Sequence, residues 1–144
     1  MLVLCCGNPD RGDDAAGPLV ARRLRELGVE CREHSGESLS LMEAWQGADE
    51  VVLADAVVTG RPAGAVTVWD ALAAPLAGRP LPGSSHALGL AEAVALGRLL
   101  GRLPRRLTLY GIEARRFAPG KPPCKAVARG AMEAARRIHE ITSA

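Results

Sequence analysis

Two patterns of apolar and polar residues alternate along the chain. Residues 1–6, 50–56 and 106–112 have patterns that are typical of strands, and the continuous apolar run at 1–6 indicates a strand that is buried on both faces. Between these runs, apolar residues recur every three or four positions, which indicates amphipathic helices. Because the strand and helix patterns alternate, the sequence predicts an α/β fold with a mainly parallel sheet.

The pattern predicts five strands and four helices. The strands are expected at residues 1–6, 29–34, 50–56, 65–69 and 106–112, and the helices at about 16–27, 38–46, 88–103 and 127–141. The strand at 29–34 is more polar than the others, which favours a place near an edge of the sheet. We therefore expect a single domain over residues 1–144, with an about five-stranded, mostly parallel twisted sheet and helices on both faces.

Composition and charge narrow the classes of function. The chain has 144 residues and a formal charge of +2, and its arginines are scattered in pairs with no basic stripe, so we expect no nucleic-acid partner. No stretch reaches the roughly 18 apolar residues that a membrane span requires, so we expect no membrane partner. The first residues lack the basic segment of a signal peptide, and we expect a cytoplasmic protein.

The four cysteines follow no metal-binding or disulfide pattern. Cys5, Cys6, Cys31 and Cys124 form no C-x-x-C pair, and their spacing fits neither a zinc ribbon nor a disulfide framework. Cys5 and Cys6 lie in the first apolar run. We interpret them as small buried residues of a central strand.

Polar residues cluster where the predicted strands end. In an open parallel sheet, ligands bind beyond the carboxyl ends of the strands. The first strand is followed by Asp13 and Asp14, the third contains Asp55, and the long Pro- and Gly-containing stretch 70–87 brings His86 to the start of a helix. His34 and Glu113 also follow strands, without a predicted role. Two carboxylates and an imidazole that converge with open positions would suit a divalent transition metal.

Each candidate also has a structural interpretation. A carboxylate at the end of a buried strand is costly unless it is compensated, and for Asp55 backbone amides would serve as well as a metal. Acids at a helix start commonly cap free amides, and we expect one of Asp13 and Asp14 to do so. A lone histidine such as His86 is more often structural than catalytic.

Three blocks of the sequence resemble the hydrogenase maturation endopeptidases, the proteases that process the C-terminus of [NiFe] hydrogenase large subunits. The first is Gly7-Asn8 followed by Gly12-Asp13-Asp14 and Gly17, which is similar to the family's glycine-rich opening with an acidic pair. The second is VVLADAV, which contains Asp55, and the third is SSHALGLAEAVALGRLLGRLP followed by LTLYGIEA. The blocks occur in order over about residues 1–115.

This resemblance implies a specific function. Asp14, Asp55 and His86 would be the catalytic residues and the metal ligands, and they would recognise nickel already inserted in a hydrogenase large-subunit precursor. The enzyme would be an endopeptidase that removes the precursor's C-terminal extension. No permanently bound cofactor is implied, because the nickel is supplied by the substrate.

Two alternatives of other classes remain. A non-catalytic nickel-binding hydrogenase chaperone would use the same three residues and leave the precursor's length unchanged. A receiver-like signalling domain would use Asp13-Asp14, Asp55 and Lys121-Pro122 around a phospho-acceptor aspartate. Against the receiver, the acidic pair lies a whole loop beyond the first strand, and Lys121 lies far from the end of the fifth.

Overall fold

A computed structural model describes residues 1–73, 86–115 and 120–143, and the side chains of residues 86–88 lie outside this description. The strands are β1 (Leu2–Cys6), β2 (Arg32–His34), β3 (Glu50–Val57), β4 (Val66–Asp70) and β5 (Arg106–Glu113). The helices are α1 (Ala16–Glu26), α2 (Ser38–Ala44), α3 (His86–Leu100) and α4 (Lys125–Ser143). A short 3-10 turn, Gly12–Ala15, precedes α1.

The five strands form one sheet in the order β2-β1-β3-β5-β4. The four strands β2, β1, β3 and β5 are parallel to their neighbours, whereas β4 runs antiparallel to β5 at one edge. The register pairs Cys5 with Ala54 and Asp55 with Gly111. The carboxyl ends of β1, β3 and β5 therefore lie at the same edge of the sheet.

Helices cover both faces of the sheet, and each face has its own apolar core. One core joins α1 and α4 to side chains of β1, β3 and β5, with Val20, Leu24 and Ile138 fully buried. The other joins α2 and α3 to the opposite face, with Leu41, Trp45 and Leu53 buried. Apolar burial on both faces accounts for the continuous apolar runs of the central strands.

The predicted α/β fold with a five-stranded, mostly parallel sheet is confirmed. The predicted strand at 29–34 is shorter than expected, because only Arg32–His34 pairs with β1. Most of the predicted loop at 70–87 lies outside the described residues, as do its serines at 84 and 85. The β5 strand lies between β3 and an antiparallel β4, and this order differs from the fully parallel 2-1-3-4-5 sheet of receiver domains.

The start of α1 lies in direct contact with the end of β1. A Cβ atom placed on Gly17 would lie 1.9 Å from the carbonyl oxygen of Cys6, and one placed on Gly7 would lie 2.2 Å from the carbonyl oxygen of Asp14. Gly7 also has a φ of +144°, which side chains rarely permit. These two glycines therefore allow the helix and strand to approach, and they fix the position of the turn that carries Asp14.

No helix within the described residues is long and apolar enough to cross a membrane.

We predict that Gly17→Ala destabilises the protein. Alanine favours a helix by about 1 kcal/mol over glycine, but the added methyl group would overlap the Cys6 carbonyl. The helix must move away from β1, so the free energy of unfolding should fall by about 2 kcal/mol or more. Urea denaturation would measure the change. Arg22→Ala, at an exposed position of α1, is the control and should change stability by less than about 0.5 kcal/mol. Equal effects of the two substitutions would contradict the proposed contact.

Candidate active site

Asp14 lies in the 3-10 turn at the carboxyl edge of the sheet. Its side chain is fully buried, and its Oδ2 atom accepts a hydrogen bond from the Asn8 N–H at 3.1 Å. This bond closes the loop between β1 and the turn. The N-cap residues of the 3-10 turn and of α1, Arg11 and Ala15, make no side-chain cap hydrogen bond. The expectation that Asp13 or Asp14 caps the helix stays a prediction.

Asp55 lies on the adjacent strand β3 and is 5% exposed. Its Oδ1 atom accepts a hydrogen bond from the Ala56 N–H at 2.8 Å, so a backbone amide compensates part of its charge, as the structural interpretation allowed. Side chains alternate along a strand, and Asp55 therefore faces the same side as Leu53 and Val57. That side is covered by α2 and α3.

The carboxylates of Asp14 and Asp55 both raise the pKa of the Cys6 thiol, so both lie near this thiol. The pKa of Cys6, the last residue of β1, is raised well above its usual value, first by burial and then by the negative charge of Asp55, with smaller effects of Cys5 and Asp14. Asp14 and Asp55 therefore lie within electrostatic range of the same sulfur atom. The Cys6 thiol stays protonated at neutral pH, so it is a poor nucleophile.

Asp13 has a structural role. It is fully buried, its Oδ1 atom accepts a hydrogen bond from the Cys124 N–H at 2.8 Å, and its Oδ2 atom accepts one from the Arg115 N–H at 2.7 Å. The Cys124 thiol also points at Oδ2, at 3.7 Å. One carboxylate thus joins the turn before α1 to the end of β5 and to the start of α4.

Two backbone hydrogen bonds strengthen the same connection. Gly12 donates its N–H to the Lys121 carbonyl at 2.8 Å, and Gly120 donates its N–H to the Asp10 carbonyl at 2.7 Å. The Lys121 backbone therefore holds the loop of the candidate site. No sequence pattern indicated this contact, because the partners are more than 100 positions apart.

Glu113 also has a structural role, at the end of β5. It is 2% exposed, and its carboxylate accepts hydrogen bonds from the N–H and the hydroxyl of Thr59. Its backbone N–H donates to Ala65, and its carbonyl accepts from the Gly64 N–H, both at 2.8 Å. Glu113 therefore fastens the connection between β3 and β4 to the end of β5.

The start of α3 brings the position of His86 to the same edge of the sheet. His34 ends β2, accepts a hydrogen bond from Gly7 through its carbonyl oxygen, and accepts another from the Gly36 N–H through its Nδ1 atom. A Cβ atom placed on Gly89, in the first turn of α3, would lie 2.1 Å from the Gly36 carbonyl oxygen. His86 is the first residue of that turn, but its side chain lies outside the description.

The third predicted ligand is thus placed by its backbone alone. Within residues 1–73, 86–115 and 120–143, no group of three His, Cys, Asp or Glu side chains is arranged to hold a metal ion. This finding does not include the His86 side chain. Asp14 and Asp55 would supply the two carboxylates of the predicted donor set, and two carboxylates with an imidazole suit a divalent transition metal.

A cavity of about 630 Å³ lies at the opposite edge of the sheet, among residues such as Met1, Glu30, Arg32 and Arg105. These residues begin or precede strands, so the cavity contains neither candidate carboxylate. Ligands of open parallel sheets bind at the carboxyl ends of the strands. The chemistry of the carboxyl edge, and not the size of this cavity, identifies the candidate site.

We predict that Asp13→Asn destabilises the protein. The amide oxygen of asparagine can accept one of the two backbone hydrogen bonds, and its NH₂ group would face the other amide donor. The free energy of unfolding should fall by about 1–3 kcal/mol, the usual effect of leaving a buried donor unsatisfied. Urea denaturation would measure it, with exposed Asp10→Asn as the control. If both variants unfold at the same urea concentration, Asp13 does not hold the loop.

We predict that Cys6 resists alkylation in the folded protein. Burial and the neighbouring carboxylates raise its pKa, so at pH 8 the reactive thiolate is scarce. Iodoacetamide should modify the half-buried Cys31 and Cys124 before Cys6, as peptide mass spectrometry would measure. All four cysteines should react at similar rates in guanidinium chloride. Rapid modification of native Cys6 would refute the predicted environment.

Comparisons with solved structures identify the fold. No family model matches the chain, and no curated protein matches it. The hydrogenase maturating endopeptidase HybD from E. coli is similar, with 24% identity, a TM-score of 0.81, and coverage of 95% of this chain and 88% of that one. HybD from Thermococcus kodakarensis has 24% identity and a TM-score of 0.75, and the match covers 97% of each chain. The [NiFe] hydrogenase maturation protease HycI from T. kodakarensis has 25% identity and a TM-score of 0.70, over 99% of this chain and 92% of that one. The chain therefore has the fold of the hydrogenase maturation proteases, as the sequence resemblance implied.

Proposed function

We propose that this protein is an endopeptidase that removes the C-terminal extension of a nickel-loaded [NiFe] hydrogenase large-subunit precursor. The fold supports this proposal, since the similar structures are named hydrogenase maturation proteases. The observation that carries it is the convergence of Asp14 and Asp55 from different elements on the Cys6 end of β1.

The two buried carboxylates suit a metal-dependent step. Burying two acids close together is unfavourable unless hydrogen bonds or a cation compensate them. A divalent metal carried by the precursor would supply positive charge at this point, and His86 would be the third ligand. The metal then belongs to the substrate, and the peptidase recognises the bound metal before it hydrolyses the peptide bond.

The chemistry follows from these groups. A metal at this position would polarise the scissile carbonyl or lower the pKa of an attacking water. One of Asp14 and Asp55 would take the proton from the water and return it to the leaving amine. The protonated Cys6 thiol is not the nucleophile in this scheme.

A non-catalytic nickel-binding chaperone is the alternative that uses the same residues. It would bind the loaded precursor without changing its length. The peptidase and the chaperone differ in one measurable quantity, the mass of the precursor after incubation, which only the peptidase would lower.

We predict that the protein shortens only a nickel-loaded precursor. The intact mass of loaded and nickel-free large-subunit precursor would be measured after incubation with the protein. Loss of a C-terminal peptide from the loaded sample alone is the expected result. Binding without shortening would favour the chaperone, and cleavage of both samples would remove nickel recognition from the proposal.

We predict that Asp55→Asn and Asp14→Asn each lower the rate of cleavage by at least about 100-fold, the scale on which removal of a general base or a metal ligand acts. Glu43→Gln, at an exposed position of α2, is the matched control and should cleave like the wild type. Circular dichroism would verify that the variants are folded. Full activity of folded Asp55→Asn would show that Asp55 is neither ligand nor base.

A further inference from the structure

The two edges of the sheet differ in how well they are protected against pairing. An exposed strand edge presents unpaired backbone groups, and proteins usually protect it with short strands, charges or proline. The β2 edge has three residues, Arg32–His34, all with charged or titratable side chains. The β4 edge has five residues, VTVWD, and its only charge is at the last position.

The register shows which groups of β4 face outward. The Glu113 N–H donates to the Ala65 carbonyl oxygen of the segment before β4, and the Ala71 N–H donates to the Leu107 carbonyl oxygen of β5. Hydrogen-bonded pairs alternate in an antiparallel ladder, so Thr67 and Trp69, which lie opposite Gly111 and Leu109, also bond inward to β5. The N–H and C=O groups of Val66 and Val68 therefore point away from β5.

The side chains of this edge are also suited to an extended partner. Val68 is 45% exposed, and the β-branched residues of β4 favour an extended conformation. The Val66 end of the strand lies opposite Ile112, next to Glu113. The outward groups therefore begin at the same edge of the sheet as the candidate carboxylates.

We propose that β4 binds the C-terminal extension of the precursor as an added β-strand. This inference rests on the proposed function, since a peptidase must hold an extended segment of its substrate. Addition of a strand to a sheet edge is a common mode of peptide recognition, in which main-chain hydrogen bonds supply affinity with little dependence on sequence. Val66 and Val68 would supply two donors and two acceptors.

The geometry also sets the distance between the docked segment and the scissile bond. Neighbouring strands are about 4.8 Å apart, so a strand added beyond β4 lies about 14 Å from β3 and Asp55. About four or five extended residues cross that distance. The docked segment is therefore remote from the reacting bond, and its loss should raise KM more than it lowers kcat.

Hydrogen exchange of the backbone amides tests the inference directly. In the free protein, the Val66 and Val68 amides should exchange rapidly, whereas the Thr67 and Trp69 amides should be protected by β5. A synthetic peptide of the precursor's C-terminal extension should slow exchange at Val66 and Val68 by at least about tenfold at a saturating concentration. Slow exchange at both positions in the free protein, or no change on adding the peptide, would overturn the proposal.

Val68→Pro tests the same contact in cleavage of the nickel-loaded precursor. Proline is tolerated at edge positions whose N–H faces outward, and it removes one donor for the docked segment. KM should rise by about tenfold, the effect of one lost hydrogen bond that leaves its partner unpaired, while kcat changes less than twofold. Val68→Thr keeps the N–H and should recover most of the affinity.

The outcomes separate this inference from the proposed function. If the wild type does not cleave the loaded precursor, the proposed function fails. If the wild type cleaves and a folded Val68→Pro variant has the same KM, only the β4 docking is refuted. Thermal denaturation of the variant would verify its folding, and the exchange measurement on the wild type does not depend on the variant.

Discussion

The close contact between the end of β1 and the start of α1 determines where the two candidate carboxylates meet. Gly17 leaves room for the Cys6 carbonyl, and Gly7 leaves room for the backbone of Asp14. With the helix held this close, the turn that carries Asp14 lies next to β3, and Asp14 and Asp55 both influence the Cys6 thiol. A larger residue at either glycine would separate these elements and move one carboxylate away from the other.

The buried acids at this edge divide into two kinds. Asp13 and Glu113 use both carboxylate oxygens to accept hydrogen bonds that join distant parts of the chain. These bonds hold the loops after β1 and β3 in place. Asp14 follows Asp13 in the loop after β1, and Asp55 lies two residues before the end of β3. The backbone that carries both side chains is therefore held by these bonds before any substrate arrives. Such preorganisation is what a metal-assisted reaction requires of its ligands and base.

Much of the fold could be predicted from the sequence, because the central strands are apolar on both faces and the helices have clear periodicity. The position of β5 between β3 and β4 could not, since strand order depends on contacts between remote segments. The sequence indicated Asp14 and Asp55 as site residues by their places at strand ends. The family resemblance singled out Asp14, but the residue pattern alone could not reveal the role of Asp13, because its partners are the amides of Arg115 and Cys124, more than 100 positions away.

We propose that Asp14 and Asp55 converge on one metal position near the start of α3. Titration of the protein with paramagnetic Ni²⁺, followed by broadening of assigned amide resonances, tests it most directly. We expect the amides of Asp14, Asp55 and Gly89 to broaden first, and we expect Asp55→Asn to remove this selectivity. First broadening at surface acids such as the half-buried Glu133 and the exposed Glu140 of α4, with the carboxyl edge unaffected, would contradict it.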